Sequence, residues 1–265
     1  ADSRWERTEV KKLEVAALDK ASPLFSDTTS FDPCVSRDAI EDTAENLKLA
    51  IKLRDKFFPL RDTAYKSLLD RAKISGTALP KLSREKLADV LNSCLALHRD
   101  SALLLIRDEK VAAAHSGDAM DYSVLEIDQL LDGLQNKMDE RFPGNRFSSG
   151  YVDHSITSAS WTLPGQRERL LDKYMKLLAA EGKASMAAKL MPGIRFSTSD
   201  TATSSAKVSA LLVGLQCPIH IGGIIAVKHR QQSKVLDFVE SLDMLFAQFE
   251  DSVARLGSPL NVYLD

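Results

Sequence analysis

Apolar residues from Ser36 onward fall at helical spacing. Ile40, Ala44, Leu47, Ile51 and Leu53 recur at helical spacing, behind a Ser36 cap with Asp38 and Glu41 in the first turn, until Phe57, Phe58 and Pro59 stop the run. The lead-in before it mixes Lys, Glu, Ser and Asp around the breakers SPLF and SFDP, which predicts irregular or strand-like chain. Two further helices are predicted. One covers 61–72 with Ala64, Leu68 and Leu69 inward, and the other covers 83–98 behind Ser83 with Leu87, Val90, Leu91 and Leu95 inward. Together they predict a mainly helical N-terminal subdomain over 1–100.

After Ala102 the period changes from helical to extended. ALLLIRD and KVAAAHS flank Asp108 and Glu109 as a hairpin without an Asn-Gly or Asp-Gly signal. IDQLLDGLQNKMDERF is helical despite Gly133, because Leu130, Leu131, Leu134 and Met138 keep one face apolar. FSSGYVDHS and ITSASWTL are extended, and QRERLLDKYMKLLAAEGK is an amphipathic helix stopped by Gly182. IRFSTSD, KVSALLVGL and IHIGGIIAVKH give three more strands, with Gly222 and Gly223 marking a bulge or a close backbone approach. A long helix from about Ser233 to Leu256, closed by Gly257, carries Val235, Phe238, Val239, Leu242, Leu245, Phe246, Phe249 and Val253 on one face, which requires a sheet to pack on. The class is α+β: an N-terminal helical subdomain, then a mixed or antiparallel sheet packed by helices over 101–265.

Composition adds little until charge is mapped along the chain. The 265 residues carry a net charge of −2, which excludes a globally basic histone-like binder. Residues 141–235, however, hold 13 Lys or Arg against 5 Asp or Glu, while the remainder holds 22 against 32. No apolar run approaches the roughly 18–20 residues that span a bilayer, and the charged start ADSRWERTEVKKLEV is unlike a signal peptide, so a cytoplasmic protein without membrane contact is expected. Cys34, Cys94 and Cys217 are odd in number and widely spaced, which predicts buried thiols rather than disulfides or a CxxC metal site.

Several catalytic and metal patterns fail on geometry. Asp153 and His154 stand near Ser155, Thr157, Ser158 and Ser160, but neighbours on a strand point to opposite faces, and no nucleophile elbow is present. His220 and His229, with Cys217, would lie about 30 Å apart along a continuous strand at about 3.3 Å per residue, too far to share an ion. No GxxxxGKS, GxGxxG, HExxH or EF-hand pattern occurs, so no catalytic residue, metal or cofactor is assigned.

The basic segment offers the better constellation. Arg195, Lys207, Lys228, His229, Arg230 and Lys234 surround a hydroxyl-rich loop of Ser197, Thr198, Ser199, Thr201, Thr203, Ser204 and Ser205. Cations set the electrostatics of phosphate binding, and hydroxyls and loop N–H groups bond phosphate oxygens without demanding a base sequence. Tyr151 and Trp161 are the leading candidates for base stacking, with Phe147 and Phe196 behind them. The helix cations Arg167, Arg169, Lys173 and Lys176 read as a solvated face instead.

Four segments carry a family resemblance. FPLRDTAYKSLLDRAKISGTALPKLSREKLADVLN, ALLLIRDEKVAAAHSGDAMDYSVLEIDQLLDGL, IRFSTSDTATSSAKVSALL and IIAVKHRQQSKVLDFVESL resemble successive landmarks of a phage- and plasmid-borne family of unknown function, over roughly residues 57–256. The family's R-x-x-x-S-x-x-Y passage is represented by Lys110, His115, Ser116 and Tyr122, with extra residues between the last two. The resemblance implies a mobile-element accessory protein in DNA metabolism or host conflict. The expectation that combines it with the charge pattern is a non-catalytic binder of nucleic acid, above all single-stranded DNA, of the recombination or annealing type and capable of self-association. The alternatives are a protein-interaction module that antagonises a host defence complex through its acidic helical half, and an enzyme of unrecognised type around Asp153, His154 and Trp161.

Overall fold

The computed structural model describes residues 3–214 and 218–256. The chain forms two compact units, Ala1–Tyr122 and Ser123–Asp265, and its class is α+β. Cys217, Gly257 and the residues after Pro259 lie outside the described residues.

The first unit contains β1 (Ser3–Glu9), β2 (Glu14–Ala17), α1 (Pro23–Ser26), α2 (Arg37–Glu45), β3 (Leu49–Leu53), β4 (Lys56–Pro59), α3 (Asp62–Ala72), α4 (Arg84–Leu95), β5 (Ser101–Arg107) and β6 (Lys110–Ser116). It holds two three-stranded sheets, β1-β5-β6 and β2-β3-β4. The hairpin at 101–116 therefore belongs here, because β5 pairs with β1 from Ser101 to Arg107. Ser36 does cap α2, accepting from the Ala39 N–H at 3.2 Å. The helix predicted to run until Phe57 nevertheless stops at Glu45. Lys48 takes a left-handed φ of 62°, and the chain enters the β3–β4 hairpin. Leu49, Ala50, Ile51 and Leu53 are all buried, so β3 presents a near-continuous apolar run that also satisfies helical spacing. Asp108 (φ 47°) and Glu109 (φ 66°) both turn left-handed between β5 and β6, the signature of a type I′ hairpin formed without glycine. The expected burial of the thiols fails at Cys34, which is exposed.

The second unit contains α5 (Ile127–Arg141), β7 (Arg146–Val152), β8 (Thr157–Thr162), α6 (Arg167–Ala180), α7 (Ala184–Lys189), β9 (Met191–Thr198), β10 (Ala206–Val213), β11 (Ile219–Val227) and α8 (Val235–Ala254). The five strands form one antiparallel sheet in the order β11-β10-β9-β8-β7. Alternate residues, among them Ala159, Trp161, Ile194, Phe196, Val208, Ala210, Leu212, Ile221 and Ile225, join one core with the inward faces of α5, α6 and α8. Phe196 packs edge-on against Phe238 at 5.9 Å, and Phe142 against Phe246 at 4.9 Å. Gly133 is explained by this packing, since a Cβ there would stand 2.5 Å from Val239 Cγ2. Gly222, at φ +83°, lies against α8 where the β10–β11 register slips between Ser209 and Leu211.

Candidate nucleic-acid interface

With the apolar residues of each strand turned to the helices, the alternate residues form the other face of the sheet. The registers place them in rows. Tyr151, Ser158, Ser197, Lys207 and Ala226 form one, Ser149, Ser160, Arg195, Ser209 and Ile224 the next, and Arg146, Thr162, Gly193, Leu211 and His220 a third. Arg146, Tyr151, Arg195, Lys207, His220 and Ile224 on this face are exposed, whereas Ser209 and Leu211 are buried.

β7 to β11 contain no Asp or Glu at all, and Arg146, Arg195 and Lys207 are their Lys and Arg residues. Two of the helices behind them are acidic: α5 carries four acids against two cations, and α8 carries five acids and no Lys or Arg, whereas α6 carries four cations against two acids. The unit is thus polarised through its thickness.

The cations follow a diagonal. Arg195 stands opposite Ser209 while Lys207 stands opposite Ser197, so the two are diagonal neighbours on adjacent strands, about 7–8 Å apart at that spacing. Lys207 pairs with Ala226, and Lys228 follows two residues later, one diagonal step further. Arg146 continues the line toward the opposite edge. From β7 to the end of β11 this stripe spans roughly 28 Å at ordinary strand and residue spacings. Arg146, Arg195, Lys207, Lys228, Arg230 and Lys234 have no ion pair among the described residues, and Arg195 makes only a long 3.4 Å bond to Ser160 Oγ. The helix cations differ. Arg141 and Arg169 share Glu250, Lys137 meets Asp243 at 2.7 Å, and Lys176 meets Asp172 at 2.8 Å. Arg167 donates to the carbonyls of Ala187, Ala188 and Leu190, closing the end of α7.

His229 does not join its neighbours as a cation. Its side chain is buried, with Nε2 3.1 Å from Thr198 Oγ1, and its carbonyl accepts from the Ser123 N–H at 2.9 Å. Burial holds its pKa below the ordinary histidine value, against the opposing pull of Asp200. The ring therefore anchors the β11–α8 connection while Lys228 and Arg230 on either side are exposed. Lys234 begins α8, its N–H donating to Asp237 Oδ2 at 2.7 Å.

Much of the hydroxyl supply is spent internally. Ser199 Oγ lies 3.0 Å from Thr201 Oγ1 and 2.7 Å from Thr203 Oγ1, and accepts from the N–H groups of Thr201 and Thr203. These groups build the loop. The hydroxyls on the cation face are instead Ser149, Ser158, Ser160, Thr162 and Ser197, most of which become neighbours of Arg195 and Lys207 only through strand register.

Of the aromatics, Tyr151 is 58 % exposed on the cation face, its Oη donating to Asp153 Oδ2 at 2.9 Å. Trp161 is in the core, with Nε1 donating to Gln135 Oε1 at 2.9 Å, so the stacking role foreseen for it is corrected to a packing role. Phe196 is likewise core, and Phe147 is exposed but pairs with Trp161 on the helix side.

The Asp153 group is a turn. Oδ1 accepts from the N–H groups of Ser155 and Ile156, both at 2.6 Å, and from Ser155 Oγ at 2.9 Å. Those backbone donors hold its carboxyl far below the usual carboxylate range. With both oxygens engaged, His154 exposed and Trp161 bonded elsewhere, the three are not assembled around a common point.

Arg146 is the cation that inspection of the sequence alone passed over. Its signal was the β7–β8 register, which a strand pattern does not reveal. Among the described residues no helix is long and apolar enough to cross a membrane. No family model, no curated protein and no solved structure matches the chain.

Proposed function

We propose that the protein binds single-stranded nucleic acid along the diagonal Arg146, Arg195, Lys207 and Lys228, with Arg230 beside its end, as a non-catalytic accessory factor of the recombination or annealing type. The observation that carries this reading is an acid-free sheet whose Lys and Arg side chains all lack ion-pair partners among the described residues, whereas Lys137, Arg141, Arg169 and Lys176 on the helices are paired. A line of unpaired cations suits a backbone of phosphates, and the serine hydroxyls between them suit phosphate oxygens. Tyr151 at the rim suits stacking by an unpaired base, which a duplex does not offer. A phage or plasmid setting rests on the resemblance of the four sequence segments. Fluorescence anisotropy with labelled single-stranded and duplex oligonucleotides, titrated with salt, tests the proposal. Tighter binding of the single strand, weakening steeply with salt, is expected. No binding at low salt, or an affinity indifferent to salt, defeats it.

One observation favours a protein partner instead. Leu236 and Met244 are 59 % and 55 % exposed on α8, on the helical face that also carries Glu240 and Asp243. A capture experiment after nuclease treatment separates the two, because a partner held by α8 survives and is lost on Leu236→Lys/Met244→Lys.

A further inference from the structure

β7 differs from the rest of its sheet. All seven residues are exposed, whereas those of β8 are buried and half-buried in alternation. β7 is an edge, so its outer backbone groups and both its faces are open. Phe147, Tyr151 and Val152 stand 58–65 % exposed on it. Edges of this kind are ordinarily guarded by lysines, prolines or a covering element. β7 has one charge, Arg146, at its start, and no proline. Each edge pairing slips register once, β7–β8 between Phe147 and Ser149 and β10–β11 between Ser209 and Leu211; what sets the opposite edge apart is cover, since Gly222 of β11 lies against the backbone of α8 near Phe249.

We propose that β7 pairs antiparallel with β7 of a second copy of this chain, with the two-fold axis at Gly150, joining the two five-stranded sheets into one. The strand's own chemistry selects this occupant. It has no acid and a single cation, so it offers no charge pattern by which a charged foreign strand would be chosen. In the antiparallel arrangement Ser149 faces Tyr151 of the second copy, twice. The two Arg146 residues then lie eight positions apart along the strands, about 26 Å, well beyond a Debye length of about 8–10 Å. A parallel in-register pairing would set them opposite each other, which is destabilising. The Phe147 ring lies over Gly150, its Cζ 3.0 Å from where a Cβ would sit, so the rings of the two copies meet across the axis. Because the pairing is isologous it consumes the bare edge, and assembly closes at two.

The pairing does not depend on nucleic acid, and its test contains none. Sedimentation velocity of the full chain over a dilution series should show a reversible dimer. Phe147→Lys/Val152→Lys should raise its dissociation constant by about tenfold or more, with an unchanged circular dichroism spectrum. Ser149→Cys/Tyr151→Cys, in a chain with Cys34, Cys94 and Cys217 replaced by Ser, should oxidise to a covalent dimer. A chain that stays monomeric at every attainable concentration overturns the proposal and leaves β7 to an extended strand of another protein. A dimer indifferent to the lysine pair overturns it as well, and one that does not cross-link places the axis away from Gly150 and refutes the pairing.

Discussion

Replacing Arg195, Lys207, Lys228 and Arg230 together with Ala removes most of the cation stripe without disturbing any ion pair among the described residues. All four are exposed, so the fold should hold within the roughly 0.5 kcal/mol typical of surface changes for each. On single-stranded nucleic acid each phosphate contact contributes about 0.7 to the slope of log affinity against log salt, so four contacts account for about 2.8. Between 50 and 200 mM salt that portion of the slope corresponds to a loss of about 50-fold, which the quadruple variant should not show. Anisotropy titrations of a labelled oligothymidine at several salt concentrations measure both slopes. Lys173→Ala/Lys176→Ala, on the exposed side of α6, is the control and should leave the slope unaltered. A quadruple variant that melts like the wild type yet keeps the wild-type slope refutes the assignment of these cations to phosphates.

Tyr151→Ala should weaken single-strand binding by about 1–3 kcal/mol with little change in melting temperature, whereas Trp161→Ala should cost about 3–5 kcal/mol of stability in urea unfolding. Equal effects of the two on stability would contradict their placement on opposite faces. Asp153 has a folded pKa below its unfolded one, so its contribution is present above the ordinary carboxylate range and is lost as pH falls through the depressed value. The melting advantage of wild type over Asp153→Ala should accordingly be full at neutral pH and vanish in strong acid. His229 is also depressed, so the unfolded chain takes up its proton first as pH drops below 6.5. Thermal melts from pH 8 to 5 should show the wild type losing stability across that window relative to His229→Gln, and parallel curves would refute a buried neutral ring.

Most helices and strands were legible because their caps and periods agree. Ser83 accepts from the Lys86 N–H at the start of α4, Gly182 ends the α6 segment at φ +76°, and the alternation of β8 matches its burial. β3 was misread because a strand buried on both faces loses its two-residue period, and a short apolar run then fits either template. At the candidate interface the alternation of β9 and β10 already put Arg195 and Lys207 opposite the apolar residues. What the sequence could not supply was register. Only the pairing of β7 with β8 brings Arg146 to the cation face, whereas the alternation of β8 already set Trp161 on the buried side with Ala159. His229 was counted among the cations because its burial depends on Thr198 and Ser123, both remote in sequence.

The polarised build of the second unit, with the acid-rich α5 and α8 behind an acid-free sheet, gives it a permanent dipole that a net charge of −2 conceals. Such a body need not be attracted as a whole in order to be oriented. A distant polyanion exerts a torque that turns the sheet side forward and the helix side away, so the fraction of encounters that begin in a competent orientation rises even where bulk electrophoretic mobility indicates an anion. Isoelectric behaviour is therefore a poor guide to which molecules this protein meets face-on.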